Sequence, residues 1–336
     1  MNAPTLEEGD KKFNELTRKL WKELAVSGKF KRDKTGNTYI QNRSDADGEA
    51  SLALLKMAGI DTSKVAYVAP GKSLKDHIHF DTGNKHGVVA SLDDMTAYID
   101  HHGEGSKNDT SSTEITYEAL VGLGLLEKTR GLDQAVRLIT QEDNRSFPNE
   151  EKYFKDHWHH TILGLLQFVK FPDLVKYFEQ GKKPTDILNA SELEDLGLTK
   201  KSEEVRKRVQ ASLDSMREIK DEGFIVHSEK YGDIAIDIGK KVNIGFLSAR
   251  AMGMDGYVIC SPKSGSFFVS TKKPLDIKLA QGTKIRETMW IKPSRDVDGK
   301  ALNISLNDIV TALGGNSDKN IGEGLKRFLQ RKNKVA

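Results

Sequence analysis

Short apolar runs in the first third of the chain repeatedly hand over to acidic residues, and this recurrence constrains the fold more than any other feature. Thr38 to Gln41 runs into Ser44-Asp45-Ala46-Asp47-Gly48-Glu49, His77 to Phe80 delivers Asp81-Thr82-Gly83, and Thr96 to Ile99 ends at Asp100-His101-His102-Gly103. Apolar runs this short, bounded by turn residues, read as strands. Carboxylates placed just beyond such strands converge on one edge of a parallel sheet, the edge where ligands of open α/β sheets bind. Between them, Ala50 to Ala58 is a good helix former closed by Gly59 at the C′ position. Val65 to Ala69 and Gly87 to Ala90 add two further strands. The expectation is α/β, a parallel β-sheet flanked by helices.

Helical spacing then dominates from Thr113 to Glu142 and from Thr161 to Met216. The highly charged segment Lys200 to Lys220 reads as a solvated helix joining two domains. After Gly223 the texture changes to short β-rich runs, Phe224 to His227, Ile234 to Ile238, Tyr257 to Cys260 and Phe267 to Val269, with helices at Asn307 to Leu313 and Gly322 to Arg331. The organisation implied is a helical extension over 1–37, a parallel-sheet domain over 38–198, a helical linker over 199–222 and a smaller α/β C-terminal domain over 223–336. The extension carries Phe13, Leu16, Leu20, Trp21 and Leu24 at helical spacing.

Composition removes several classes. A length of 336 residues suits about two domains. The single cysteine, Cys260, excludes an internal disulfide framework and a Cys-rich zinc site. No apolar run is long enough to cross a membrane and the first residues carry no apolar signal region, so a cytoplasmic protein with no membrane partner is expected. From Gly223 onward there are 19 Lys and Arg against 11 Asp and Glu, whereas the preceding residues carry 33 against 38. An acidic first part and a basic second part suit a metal-holding domain facing a phosphate-holding one, with the active site in the cleft between them.

Carboxylates crowded at one sheet edge repel one another unless cations or protons offset the charge. Hard carboxylate oxygens with imidazole nitrogen favour manganese or magnesium over a closed tetrahedral zinc. The Asp100-His101-His102 stretch alone fits either a metal site open to substrate or a polar loop that holds two histidines.

The ordered series Asp45-Ala46-Asp47-Gly48, Asp81-Thr82-Gly83, Asp100-His101-His102, Ser111-Ser112-Thr113 opening a helix, and Glu142-Asp143-Asn144-Arg145-Ser146-Phe147 resembles the DHH phosphoesterase superfamily over roughly residues 38–147. That superfamily includes manganese-dependent pyrophosphatases, single-strand exonucleases, and enzymes acting on very short RNA or cyclic dinucleotides. The resemblance implies that Asp45, Asp47, Asp81, His101 and Asp143 are metal ligands, with Asp81 bridging two cations. It implies that His102 contacts the substrate phosphate and that Asp100 orients the histidines. Two ions, manganese or alternatively magnesium, about 3.5–4 Å apart would activate a water for in-line attack.

Two departures from the superfamily pattern are visible. Gln41 and Arg43 occupy positions where many members carry a metal-binding histidine. His79 is the candidate replacement, because strand alternation puts it on the same face as Asp81. In the C-terminal domain, Leu313-Gly314-Gly315-Asn316-Ser317 is the nearest match to a glycine run that holds substrate, without its terminal histidine. Gly314, Gly315 and Asn316, with free backbone N–H groups, and Arg286 and Arg295, with guanidinium groups, are the expected phosphate contacts. Asp156-His157-Trp158-His159-His160 reads as a surface or interdomain cluster, and the basic tail Lys326 to Lys334 as a solvated helix end.

The expected activity is metal-dependent hydrolysis of a phosphoester or phosphoanhydride. A nucleotide or short single-stranded oligonucleotide fits better than pyrophosphate, since Ser294-Arg295-Asp296 lacks the Ser-Arg-Lys that the pyrophosphatase likeness would want. The broader partner class is a phosphorylated small molecule, and a homodimer is among the expectations. The rival is a non-catalytic nucleotide or RNA sensor derived from a phosphoesterase.

Overall fold

The computed structural model describes residues 39–41, 45–59, 62, 65–67, 78–81, 87–91, 96–101, 109–122, 124–144, 146–148, 150–239, 242, 244–261, 266–275, 283–286, 289–292, 306–315 and 322–333. The helical extension expected over 1–37 lies outside them. The chain divides into two compact units, Met1–Pro148 with Leu166–Asp186, and Asn149–Leu165 with Ile187–Ala336.

The first unit opens with β1 (Tyr39–Gln41), α1 (Ala46–Met57), β2 (Val65–Tyr67), β3 (Ile78–Phe80), β4 (Gly87–Ser91), β5 (Thr96–Asp100), α2 (Ser112–Gly122) and α3 (Arg130–Asp143). Among the described residues its sheet has the order β2-β1-β3-β5-β4. The pairs β1–β2, β1–β3 and β3–β5 are parallel, whereas β4 runs antiparallel along β5. The parallel sheet expected from sequence is found over β2-β1-β3-β5, with β4 as an antiparallel edge strand. Residues 92–95 are too few for the crossover that a parallel β4–β5 pair would need, so β4 must turn back on its neighbour.

Helix α1 begins earlier than the sequence pattern suggested. The Asp45 side chain accepts a hydrogen bond from the Gly48 backbone N–H at 2.9 Å, capping the helix before Ala46. Asp47 thus sits in the first helical turn instead of a loop. Gly59, at φ +78°, closes the helix in the left-handed conformation that glycine adopts without strain. Leu54 and Leu55 are fully buried.

Next in the chain are α4 (Glu150–Phe154), a 3-10 turn at Trp158–His160 and α5 (Ile162–Leu165), all in the second unit. Helix α6 (Phe171–Glu179) returns to the first unit. The second unit resumes with α7 (Ala190–Asp195), α8 (Thr199–Asp221), β6 (Ile225–Ser228), β7 (Gly232–Ile238), α9 (Gly245–Ala251), β8 (Gly256–Ser261), β9 (Ser266–Thr271), β10 (Thr283–Arg286), β11 (Met289–Lys292), α10 (Leu306–Ala312) and α11 (Glu323–Asn333). Its described sheet has the order β10-β11-β9-β8-β7-β6, with β7–β8 the one parallel pair.

Alternation along β7 assigns its two faces. Ile234 and Ile236 join Ile309, Val310, Leu313 and Leu325 on one side, and Ala235 joins Met216, Ile219, Ala249 and Tyr257 on the other. Helix α8 is a packing element, not the solvated helix expected from its charge. It buries Val205, Val209, Leu213, Met216 and Ile219 along one stripe. At about 1.5–3 kcal/mol for each buried apolar side chain, that stripe outweighs the exposed ion pairs on its other face, each worth under about 1 kcal/mol. No helix among the described residues is long and apolar enough to cross a membrane.

Candidate metal centre

Four separate elements bring Asp47, Asp81, His101 and Asp143 to one point at the carboxyl end of the first sheet. His101 Nε2 lies 3.3 Å from Asp81 Oδ1, 3.4 Å from Asp143 Oδ2 and 3.6 Å from Asp47 Oδ2. Asp47, Asp81 and His101 are buried. Donor atoms of Asp47, His101 and Asp143 all lie within 4.8 Å of one another.

Each side chain reaches this point for a local reason. Asp47 is held by the start of α2: its Oδ2 accepts from Ser112 N–H at 2.9 Å and its Oδ1 from Thr113 N–H at 2.8 Å. First-turn amides of a helix lack intrahelical partners and favour an anion. The Asp47 carbonyl in turn accepts from the Thr113 hydroxyl at 2.8 Å and the Ser51 hydroxyl at 3.0 Å. Asp81 follows β3 with φ +51°, the one left-handed non-glycine among the described residues, while its N–H still donates to Ile99 O at 3.1 Å. Aspartate tolerates this conformation at about 1–2 kcal/mol, and such strain tends to cluster at functional sites.

Asp143 is the last residue of α3, where the helix end carries partial negative charge and disfavours a carboxylate. No basic residue in that last turn offsets it. Asn144 Nδ2 donates to Thr110 O at 2.9 Å, and the Ser111 and Thr140 hydroxyls meet at 2.8 Å, so the end of α3 is tied to the start of α2.

The electrostatics fit a cation. Burial, then the Asp81 and Asp143 charges, push the Asp47 carboxyl up to about 6 against the opposing pull of His101. Desolvation and the Asp81 charge push Asp45 up to about 7. Carboxylate oxygens with one imidazole form a donor set suited to manganese or magnesium, and a bound cation would reverse both shifts.

Asp45 caps α1 beside this group, and Asp100 is fully buried at the end of β5. His79 is fully buried but stacks on Tyr98, with ring centroids 4.8 Å apart and planes 18° apart. The Asp47–His101–Asp143 donor group does not include it. Gln41 ends β1, and Arg286 ends β10 at the register position opposite Met289. His102, Arg43, Arg295 and Asn316 lie outside the described residues.

Gly314 and Gly315 close helix α10 instead of presenting free amides. Gly314, at φ +76°, donates its N–H to Thr311 O, and Gly315 donates to Val310 O, both at 2.9 Å. These amides terminate α10 and are not the free donors assigned to phosphate. A Cβ on Gly315 would stand 2.8 Å from Val226 and Val310 side-chain carbons, so close packing against β6 requires glycine there. In the histidine cluster, Trp158 is buried and the His159 and His160 rings touch at 4.2 Å.

Sequence reasoning passed over Ser51 and Thr140. Ser51 sits one helical turn after Asp47, a spacing that places it to bond the Asp47 carbonyl once the helix start is known.

No protein-family model and no curated protein matches the sequence. Among solved structures, RecJ from Thermus thermophilus in complex with Mn2+ is 13% identical with a TM-score of 0.47, over 90% of this chain and 54% of that one. The same protein with Mg2+ gives 14% and 0.44, over 90% and 51%. The chain spans about half the length of these RecJ chains. A pGpG-specific phosphodiesterase, PggH from Vibrio cholerae, is 12% identical with a TM-score of 0.42, over 84% of this chain and 99% of that one. RecJ with Mn2+ or Mg2+ and a pGpG-specific phosphodiesterase are thus among the solved structures this chain is similar to.

Proposed function

We propose that the chain is a DHH-type phosphoesterase that hydrolyses a phosphoester or phosphoanhydride bond, in a nucleotide or short oligonucleotide, with manganese or magnesium held beyond its first sheet. The observation that carries this reading is the convergence of Asp47, Asp81 and Asp143 on His101 Nε2 within 3.6 Å. A structural role would not need three carboxylates around one buried imidazole, because their mutual repulsion costs stability.

In this reading Asp45, Asp47, Asp81, His101 and Asp143 would hold two divalent ions. Divalent ions there supply charge neutralisation at the phosphoryl oxygens and a more acidic water. The chain's own work is orientation. The Ser112 and Thr113 amides fix both oxygens of Asp47, and the left-handed turn fixes Asp81. Asp100 orients the histidines, and His102 contacts the phosphate.

Gln41 and Arg43, standing where many superfamily members carry a histidine, favour a second reading as a nucleotide sensor. A hydrolysis screen separates the two. A linear dinucleotide, a cyclic dinucleotide, a bisphosphonucleotide and pyrophosphate are incubated with Mn2+ and with chelator. Nucleotide cleavage that stops on chelation is expected. Tight nucleotide binding without turnover would select the sensor, and turnover that survives chelation would defeat the metal reading.

A further inference from the structure

We infer that Tyr67 is a stacking platform for a nucleobase of the bound nucleotide, beside the metal centre. The inference builds on the phosphoester reading for the identity of the ligand. The large hydrophobic side chains exposed among the described residues are Met57, Tyr67 and Ile187, and Tyr67 is 56% exposed. Met57 ends α1, away from Asp45 and Asp47, and Ile187 belongs to the second unit. Tyr67 alone of the three stands at the carboxyl edge of the first sheet. It is the last residue of β2, in register with Gln41, the last residue of the parallel strand β1.

The ring is also oriented. Its hydroxyl donates to Glu49 Oε1 at 3.3 Å, and Glu49 belongs to the first turn of α1 together with Asp47. Desolvation and the Glu49 charge push the hydroxyl above its ordinary range, so it stays a neutral donor at physiological pH. One hydrogen bond thus couples the exposed ring to the helical turn that presents two site carboxylates. Across the order β2-β1-β3, two strand spacings of about 4.8 Å separate Tyr67 from the strand that delivers Asp81. A ligand with its phosphate at the carboxylates can therefore extend a base along the edge toward Tyr67. Every nucleobase offers a π-face, so such a platform favours nucleotides over pyrophosphate without selecting a sequence.

The test compares wild type with Tyr67→Ala, Tyr67→Phe and Tyr67→Trp. Binding of a linear dinucleotide phosphorothioate and of pyrophosphate is measured by calorimetry with Mn2+, alongside steady-state cleavage of the unmodified dinucleotide. Tyr67→Ala is expected to weaken dinucleotide binding and raise its KM by about 5- to 150-fold, the range of base–aromatic stacking, with kcat nearly unchanged. Pyrophosphate binding should not move, and the Phe and Trp variants should bind the dinucleotide nearly as wild type does. A dinucleotide affinity unchanged in Tyr67→Ala overturns the platform, as does a wild type that binds no dinucleotide. The same holds for an equal loss in the Phe variant, which would assign the effect to the Glu49 contact. The stacking loss seen in a protein that cleaves nothing would uphold the platform while removing the enzyme reading.

Discussion

Asp47 in the first unit and Asp237 in the second are both buried aspartates held by hydrogen bonds from the chain. Asp237 Oδ2 accepts from the Tyr257 hydroxyl at 2.7 Å and from Val242 N–H at 3.1 Å. Asp47 accepts from Ser112 and Thr113. What separates them is company. Asp47 shares its surroundings with Asp81 and Asp143, whose charges raise its proton affinity. Asp237 sits against a phenol that burial, and then the carboxylate itself, push well above the usual tyrosine range. A buried carboxylate held by a phenol and a backbone amide anchors the fold locally; one placed among other carboxylates points to a cation.

The sharpest way to break this contrast is Asp81→Asn. If the carboxylates serve a metal reaction, kcat with Mn2+ should fall by at least about 10³-fold while the melting temperature without metal holds or rises. Asp237→Ala should do the opposite. It leaves the Tyr257 hydroxyl and the Val242 amide buried without that acceptor, so stability should drop by about 2–3 kcal/mol in urea titration, with metal-dependent kcat retained in the folded fraction.

The pH dependence sharpens the contrast further. Asp45 and Asp47 have folded values near 7 and 6, above the ordinary 3.8, so the folded state binds more protons than the unfolded one between these limits. Stability without metal should therefore rise as pH falls from above 7 toward 4. Mn2+ affinity should move the other way, weakening as pH drops through 7 and 6, because the ligands must lose their protons. Calorimetric Mn2+ titrations at several pH values check this; affinity flat from pH 8 to 5.5 would detach these carboxyls from the ion. The smallest effect is expected at Gly314→Ala, costing about 1 kcal/mol by thermal denaturation for its positive φ, with no change in KM for a dinucleotide.

The strands that deliver Asp81 and His101 were legible because an apolar run followed by a polar group is a local signal. So was Gly59 as a helix end, since a glycine after a good helix former needs no tertiary information. Asp47 was legible as a candidate but not as a helical residue, because its position depends on how the Asp45 side chain folds back. The antiparallel β4 followed from loop length, a clue that short apolar runs obscure. Charge hid the apolar stripe of α8, and the glycine pair at 314–315 looked like a ligand cradle because glycine serves helix ends and phosphate loops alike. Strands β10 and β11 and helices α4 and α9 leave no such signal, being short and without strong periodicity.

The two amides that Asp47 occupies give the site a built-in reporter in time. Ser112 and Thr113 N–H can exchange with solvent only when the carboxylate lets go of α2. Their deuterium uptake therefore records how often the centre opens, residue by residue, in a protein without ligand or turnover. A cation that holds Asp47 in place would slow both amides together and leave the Asp237-bonded Val242 amide running at its own pace.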